Sequence, residues 1–168
     1  MNYTYEFDPA GHLTVGTVGK PGQRTFYIQA RKGRDILTFT AEKEQVRALG
    51  QAFDRLHDDI VSNNPLLSTS EDAVLIRDMG LIEPIEPVFR VVQMGLGYDA
   101  EHDTCVLIMQ GMSDDEEDES PSARISIPRE QVRGLSQHIT AVLSGGRAVC
   151  GNCGRPQDPD GHFCPQMN

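Results

Sequence analysis

One eight-residue segment occurs twice. Glu44-Gln-Val-Arg-Ala-Leu-Gly-Gln51 returns 86 residues later as Glu130-Gln-Val-Arg-Gly-Leu-Ser-Gln137. The same offset carries Val46, Leu49, Phe53 and Leu56 onto Val132, Leu135, Ile139 and Val142. Steps of three and four make each set one apolar stripe of a helix. Upstream, Phe39 and Ala41 fall on Ile125 and Ile127, while Thr40 falls on Ser126, two residues able to cap the helices. Gln29 maps onto Gln110 at a smaller offset. A chain built this way must give the two stripes something to bury against, and the nearest apolar surface is the other copy.

The strands precede each helix. Leu13, Val15 and Val18 mark a first short strand. Phe26, Ile28 and Ala30 alternate with Tyr27 and Gln29, and Leu37, Phe39 and Ala41 alternate with Thr38 and Thr40, the period of half-buried strands. Val88 to Leu96, Cys105 to Gln110 and Ala123 to Ile127 repeat the pattern. We therefore expect an α+β fold of two pseudo-repeated units, each of about three antiparallel strands plus one helix, sharing a core and a sheet of roughly six strands. The units span residues 1–61 and 88–146, with a connector at 62–87 and a tail at 147–168. Pro84 and Pro87 favour extended chain in the connector, which could alternatively serve as a lid. Such pairs often place a groove at their seam.

The formal charge is −10, yet the run Asp114 to Glu119 holds six acidic residues, so the acidity is local. A solvated hairpin tip is the plain reading of that run; a basic partner protein is the alternative. No cluster of Lys and Arg offers a face for phosphate backbones, so nucleic acid is not an expected partner. No apolar run reaches the roughly 18 residues that span a bilayer. The start, MNYTYEFDPAG, has neither the basic nor the apolar region of a signal peptide, so the expected location is cytoplasmic and no membrane partner is expected.

Gly16, Gly19 and Gly22 surround Lys20, which raises the question of a phosphate loop. Lys20 is followed by Pro21, which has no N–H to give a phosphate, and Pro21-Gly22 suits the centre of a type II turn instead. Cys105 sits in an apolar run and reads as core. His12, His57, His102 and His138 have no nucleophile or carboxylate pattern around them.

The tail carries the recognisable chemistry. Cys150, Cys153, His162 and Cys164 offer three thiolates and an imidazole, the donor set of a closed tetrahedral zinc site. Gly151 and Gly154 let the first loop curl around a metal. The cofactor expected is one structural zinc, whose binding energy substitutes for a core that so short a tail cannot build. A redox CxxC and unligated cysteines remain open alternatives.

Thr17-Val-Gly-Lys-Pro-Gly-Gln-Arg-Thr-Phe-Tyr-Ile-Gln-Ala30 and Cys150-x-x-Cys153-Gly-x-Pro156-x-Asp158-Pro159-x-Gly161-His162-x-Cys164-Pro165 together resemble an actinobacterial family of conserved hypothetical proteins, a domain of unknown function. The family favours proline after the first cysteine, where this chain has Gly151. The resemblance implies no specific activity. Similar proteins are encoded near histidine-phosphatase-like and lipid-kinase-like proteins, which implies a shared function without naming it.

Two functions follow as expectations. The first is a binding or regulatory module acting through a protein partner or a small ligand at the seam. The second is an enzyme or enzyme subunit acting on a phosphorylated small molecule, with Lys20, Arg24, Arg47 and Arg133 as anion contacts.

Overall fold

The computed structural model of the chain describes residues 2–64, 66 and 79–145. Eight strands and two helices follow in order: β1 (Tyr5–Phe7), β2 (His12–Val18), β3 (Thr25–Lys32), β4 (Asp35–Ala41), α1 (Lys43–Asn63), β5 (Pro87–Arg90), β6 (Gln93–Asp99), β7 (Thr104–Gln110), β8 (Ser122–Pro128) and α2 (Gln131–Ser144).

Local chemistry explains most of the boundaries. Between β2 and β3, the N–H of Gln23 donates to the Lys20 carbonyl at 2.8 Å, and Gly22 takes φ 86°, the type II geometry that Pro21-Gly22 encodes. Gly33 turns β3 into β4 with φ 61°. The helix caps differ from expectation. Glu42, not Thr40, caps α1 in a reciprocal box with Gln45, whose Oε1 accepts the Glu42 N–H at 2.9 Å. Glu130, not Ser126, precedes α2. Strand pairing continues to Ala41 and Pro128, so Thr40 and Ser126 stay inside their strands and each helix starts later.

The single shared sheet is replaced by two sheets of four strands, ordered β1-β8-β7-β6 and β2-β3-β4-β5. Three antiparallel strands from one half make most of each sheet. The fourth comes from the other half and is parallel: β1 lies beside β8, and β5 beside β4. The crossing segments are matched. Ala10 N–H bonds the Ser126 carbonyl at 2.8 Å and Gly11 N–H that of Arg31 at 2.9 Å; Val91 N–H bonds Thr40 at 2.9 Å and Val92 N–H bonds Gln110 at 2.8 Å. Val88 to Leu96 is therefore two strands, broken where the chain steps from one sheet to the other.

Register also corrects one equivalence. Ile28 faces Phe39 and Leu107 faces Ile125, so Ile28 corresponds to Leu107, Gln29 to Ile108, and Arg31 rather than Gln29 to Gln110. The loop before β3 is the longer of its pair, and the acidic loop before β8 is the longer of the next.

One continuous core joins the halves. The helix stripes bury Val46, Leu49 and Phe53 with Val132, Leu135 and Ile139. The helices meet at Gly50, where an added Cβ would lie 2.8 Å from Ile139 Cγ2. The exchanged strands meet as well: the Phe89 ring of β5 lies 5.0 Å from that of Phe39 and 6.2 Å from that of Tyr5 in β1.

The described part of the connector is fastened across the outer face of β2-β3-β4-β5. Thr14 Oγ1 donates to the Met79 carbonyl at 2.6 Å. Gln29 gives its amide to the Ile82 carbonyl at 3.0 Å and accepts the Ile82 N–H at 2.8 Å. Leu81 lies over Gly16, and no side chain at position 16 would leave it room. Gln29, on a face that alternation alone would give to solvent, is thus buried and satisfied.

Candidate functional site

β5 ends its sheet, so one of its edges has no strand beside it among the described residues. Pro87 at its start suits such an edge because it has no N–H to offer a ladder. Alternation turns Phe89 inward and leaves Val88 36% exposed. Phe89 packs against Gly111, where an added Cβ would come within 2.7 Å of the ring, and this close approach sets the base of the β7–β8 loop. The Gly111 N–H closes that base on the Pro121 carbonyl at 2.8 Å.

Beyond the base the loop turns on itself. Ser113 Oγ donates to the Asp115 carbonyl at 2.8 Å, and the Asp118 N–H donates to the same carbonyl at 3.1 Å. Between this loop and β5 lies an open groove of about 830 Å³. Its apolar side presents Val88, Val92 (52% exposed) and Met112 (73% exposed). Its other side carries Asp114, Asp115, Asp118 and Glu119. Arg90, the basic residue of the lining, is paired with Glu42. The groove thus combines exposed apolar side chains with four carboxylates.

The seam between the helices holds a smaller depression of about 330 Å³, lined by Arg47, Gly50, Gln51, Asp54, Ile139 and Thr140 among others. Arg47 pairs with Glu44, whose carboxyl it holds below the ordinary glutamate value through a hydrogen bond and its charge. Asp54 accepts a hydrogen bond from the Ser136 hydroxyl of α2. Of the four cationic residues singled out for anions, Arg47 lines this depression and the other three do not. Arg24 donates to the Val142 carbonyl at 3.0 Å with its guanidinium 5.1 Å from the centre of the Phe26 ring. Lys20 is exposed in its turn, and Arg133 is half-buried on α2.

A family model described as "Protein of unknown function (DUF3090)" matches residues 5–164. The chain belongs to that family. No curated protein and no solved structure matches it. The matched DUF3090 region includes both sheets, both helices and the groove.

Elsewhere in the DUF3090 fold, polar groups serve the scaffold. Burial pushes the Cys105 thiol up to about 12, so it stays protonated and packs as an apolar side chain. The Tyr98 hydroxyl donates to Asp103, and that bond raises it to about 12. Arg129 Nε reaches the same carboxylate at 2.8 Å, tying the approach to α2 onto the β6–β7 turn. His138 Nε2 lies 2.7 Å from the Val15 carbonyl, which makes that nitrogen the donor. Asp99, Glu101 and His102 cluster at the exposed turn, where Asp99 accepts the backbone N–H of the other two. Cys150, Cys153, His162 and Cys164 lie outside the described residues.

The groove is what pattern reasoning missed. Val88, Val92 and Met112 follow no shared period and come from a strand, a crossing segment and a loop. The acidic run was visible in the sequence; its apolar counterpart was not.

Proposed function

We propose that this DUF3090 protein is a non-catalytic binding module that receives a segment of a partner protein carrying both basic and apolar side chains. The supporting observation is the meeting, in one groove, of Val88, Val92 and Met112 with Asp114, Asp115, Asp118 and Glu119. Three of the six large exposed hydrophobic residues among those described line this one feature, and single scattered ones would need no explanation. Met112 gives an adaptable apolar contact beside the stiffer Val88 and Val92. The carboxylates select cations, speed encounter and disfavour acidic competitors. The edge of β5 that no described strand covers can accept an extended backbone beside it.

The test uses a fluorescent peptide with alternating Lys and Leu residues, titrated with protein at low and at moderate salt. Binding is expected in the micromolar range. Converting Asp114, Asp115 and Asp118 to Asn and Glu119 to Gln is expected to weaken it at least about tenfold, or 1.4 kcal/mol. Met112→Asp should weaken it too, and added salt should erode what remains. Equal affinity of the charge-neutralised protein for the peptide would refute the reading.

The proposal includes a structural zinc held by Cys150, Cys153, His162 and Cys164, supported by the chemistry of that donor set. It also takes the protein as cytoplasmic, a reducing setting in which those thiols stay available for metal. No helix among the described residues is long and apolar enough to cross a membrane.

A further inference from the structure

The two sheets have equivalent outer faces, and they are treated differently. On β2-β3-β4-β5, Leu81 occupies the space above Gly16, and Thr14 and Gln29 hold the strap that carries it. On β1-β8-β7-β6, the residues in the corresponding places are Gly97 for Gly16, Gly95 for Thr14 and Ile108 for Gln29, by the matched starts of β2 and β6 and the matched registers. A hydroxyl and an amide that anchor a strap have become a hydrogen atom and an aliphatic side chain. A Cβ at Gly95 or Gly97 would meet no described atom within 4 Å, and Ile108 is 39% exposed.

The register sets these features side by side. Gly95, Ile108, Arg124 and Glu6 form one cross-strand row, and Gly97, Val106 and Ser126 form the next. The face therefore carries an aliphatic knob beside a floor without side chains. Arg124, 2.8 Å from Asp8 and 3.9 Å from Glu6, offsets one of these two carboxylates and leaves the group a single net negative charge. On a chain of net charge −10, a face with a single net negative charge lets two copies approach with little repulsion.

We propose that this outer face is a homodimer interface, in which Ile108 of one copy seats over Gly95 and Gly97 of the other. A knob and a hole adjacent on one surface are self-complementary under a twofold, the requirement of an isologous contact. Leu81 over Gly16 on the sister sheet shows that the same backbone arrangement accepts an aliphatic side chain. The strand spacing and rise give such a face roughly 400 Å² per copy. That is about half of what a standard stable interface buries, so the dimer is weak and concentration-dependent.

Sedimentation velocity of the full chain, from low micromolar to several hundred micromolar, reads this directly. The wild type is expected to shift toward a dimer with rising concentration. Ile108→Glu and Gly97→Val should each weaken association at least about tenfold. Gly97→Val should keep its fold, because the position has space and no positive φ, and circular dichroism checks both variants. Val18→Glu, an exposed apolar residue on the other sheet, should associate like wild type. A monomer at every concentration overturns the proposal. So does association that survives both face variants, or that Val18→Glu weakens equally.

Discussion

Gly50 offers a sharp test of how the two halves meet, because two opposing effects of known size act there. Replacing it with alanine removes a helix penalty, a gain of ~0.8–1.0 kcal/mol in an exposed helix. Here the new Cβ would lie 2.8 Å from Ile139 Cγ2 and 3.6 Å from Ile139 Cβ. Carbon atoms pack best at roughly 3.5–4.0 Å, so the methyl is short of room by about 0.7 Å or more. Ile139 is fully buried and branched at Cβ, so it cannot swing its methyl away without moving α2. Overpacking of this kind costs ~1–3 kcal/mol. The balance for Gly50→Ala is a loss of up to ~2 kcal/mol, or several degrees in Tm for a chain of this size. Urea denaturation should then show a reversal in sign when Ile139→Leu is introduced first. With no methyl at that branch, Gly50→Ala should stabilise by about 1 kcal/mol relative to Ile139→Leu alone. If Gly50→Ala stabilises the wild-type protein by the full helix increment, the helices do not cross at Gly50 and the packing described for the seam is wrong.

Acid should weaken the junction of β1 with β8 in a defined direction. Asp8 is held below its ordinary value of 3.8, first by the Ser126 hydroxyl and then by the Arg124 guanidinium. A depressed carboxyl contributes stability that is complete above the unfolded value and is lost as pH falls through the lower folded value, so the urea midpoint should drop below about pH 4. Asp8→Asn should flatten that limb, and an unchanged acid limb would remove Asp8 as its cause. For the tail, elemental analysis of purified protein should find about one zinc per chain. Cys153→Ser should abolish it, and retention of full zinc by that variant would exclude the proposed ligand set.

The helices were legible because burial follows their period directly. Phe53 and Ile139, aligned by the repeat, are both fully buried at the seam. The turn at Pro21-Gly22 was legible for a different reason: proline and glycine restrict backbone angles whatever surrounds them. Caps were less so, because Thr40 and Ser126 are good capping residues that strand pairing claims first. Gln29 misleads in a similar way. Alternation assigns it to solvent, but its amide bonds Thr38 on the neighbouring strand and both backbone groups of Ile82, more than fifty residues away. The groove needs tertiary structure even to exist, since its lining comes from β5, the crossing segment after it and a loop on the other sheet.

The exchange of β1 and β5 explains why neither half can be read as a self-contained unit. A parallel pair between Tyr5–Phe7 and Ala123–Ile125 leaves no local signal, since its partners are separated by most of the chain and one of them is three residues long. Yet the two exchanged strands touch each other, because the Phe89 ring of β5 contacts both Tyr5 of β1 and Phe39 of β4. Each half thus finishes the other's sheet, and each such pairing closes a long loop at an entropic cost that the sheet must offset. The groove depends on this arrangement. Phe89 fixes Gly111 and with it the base of the acidic loop, so the strand that completes the first sheet also positions the carboxylates carried by the second.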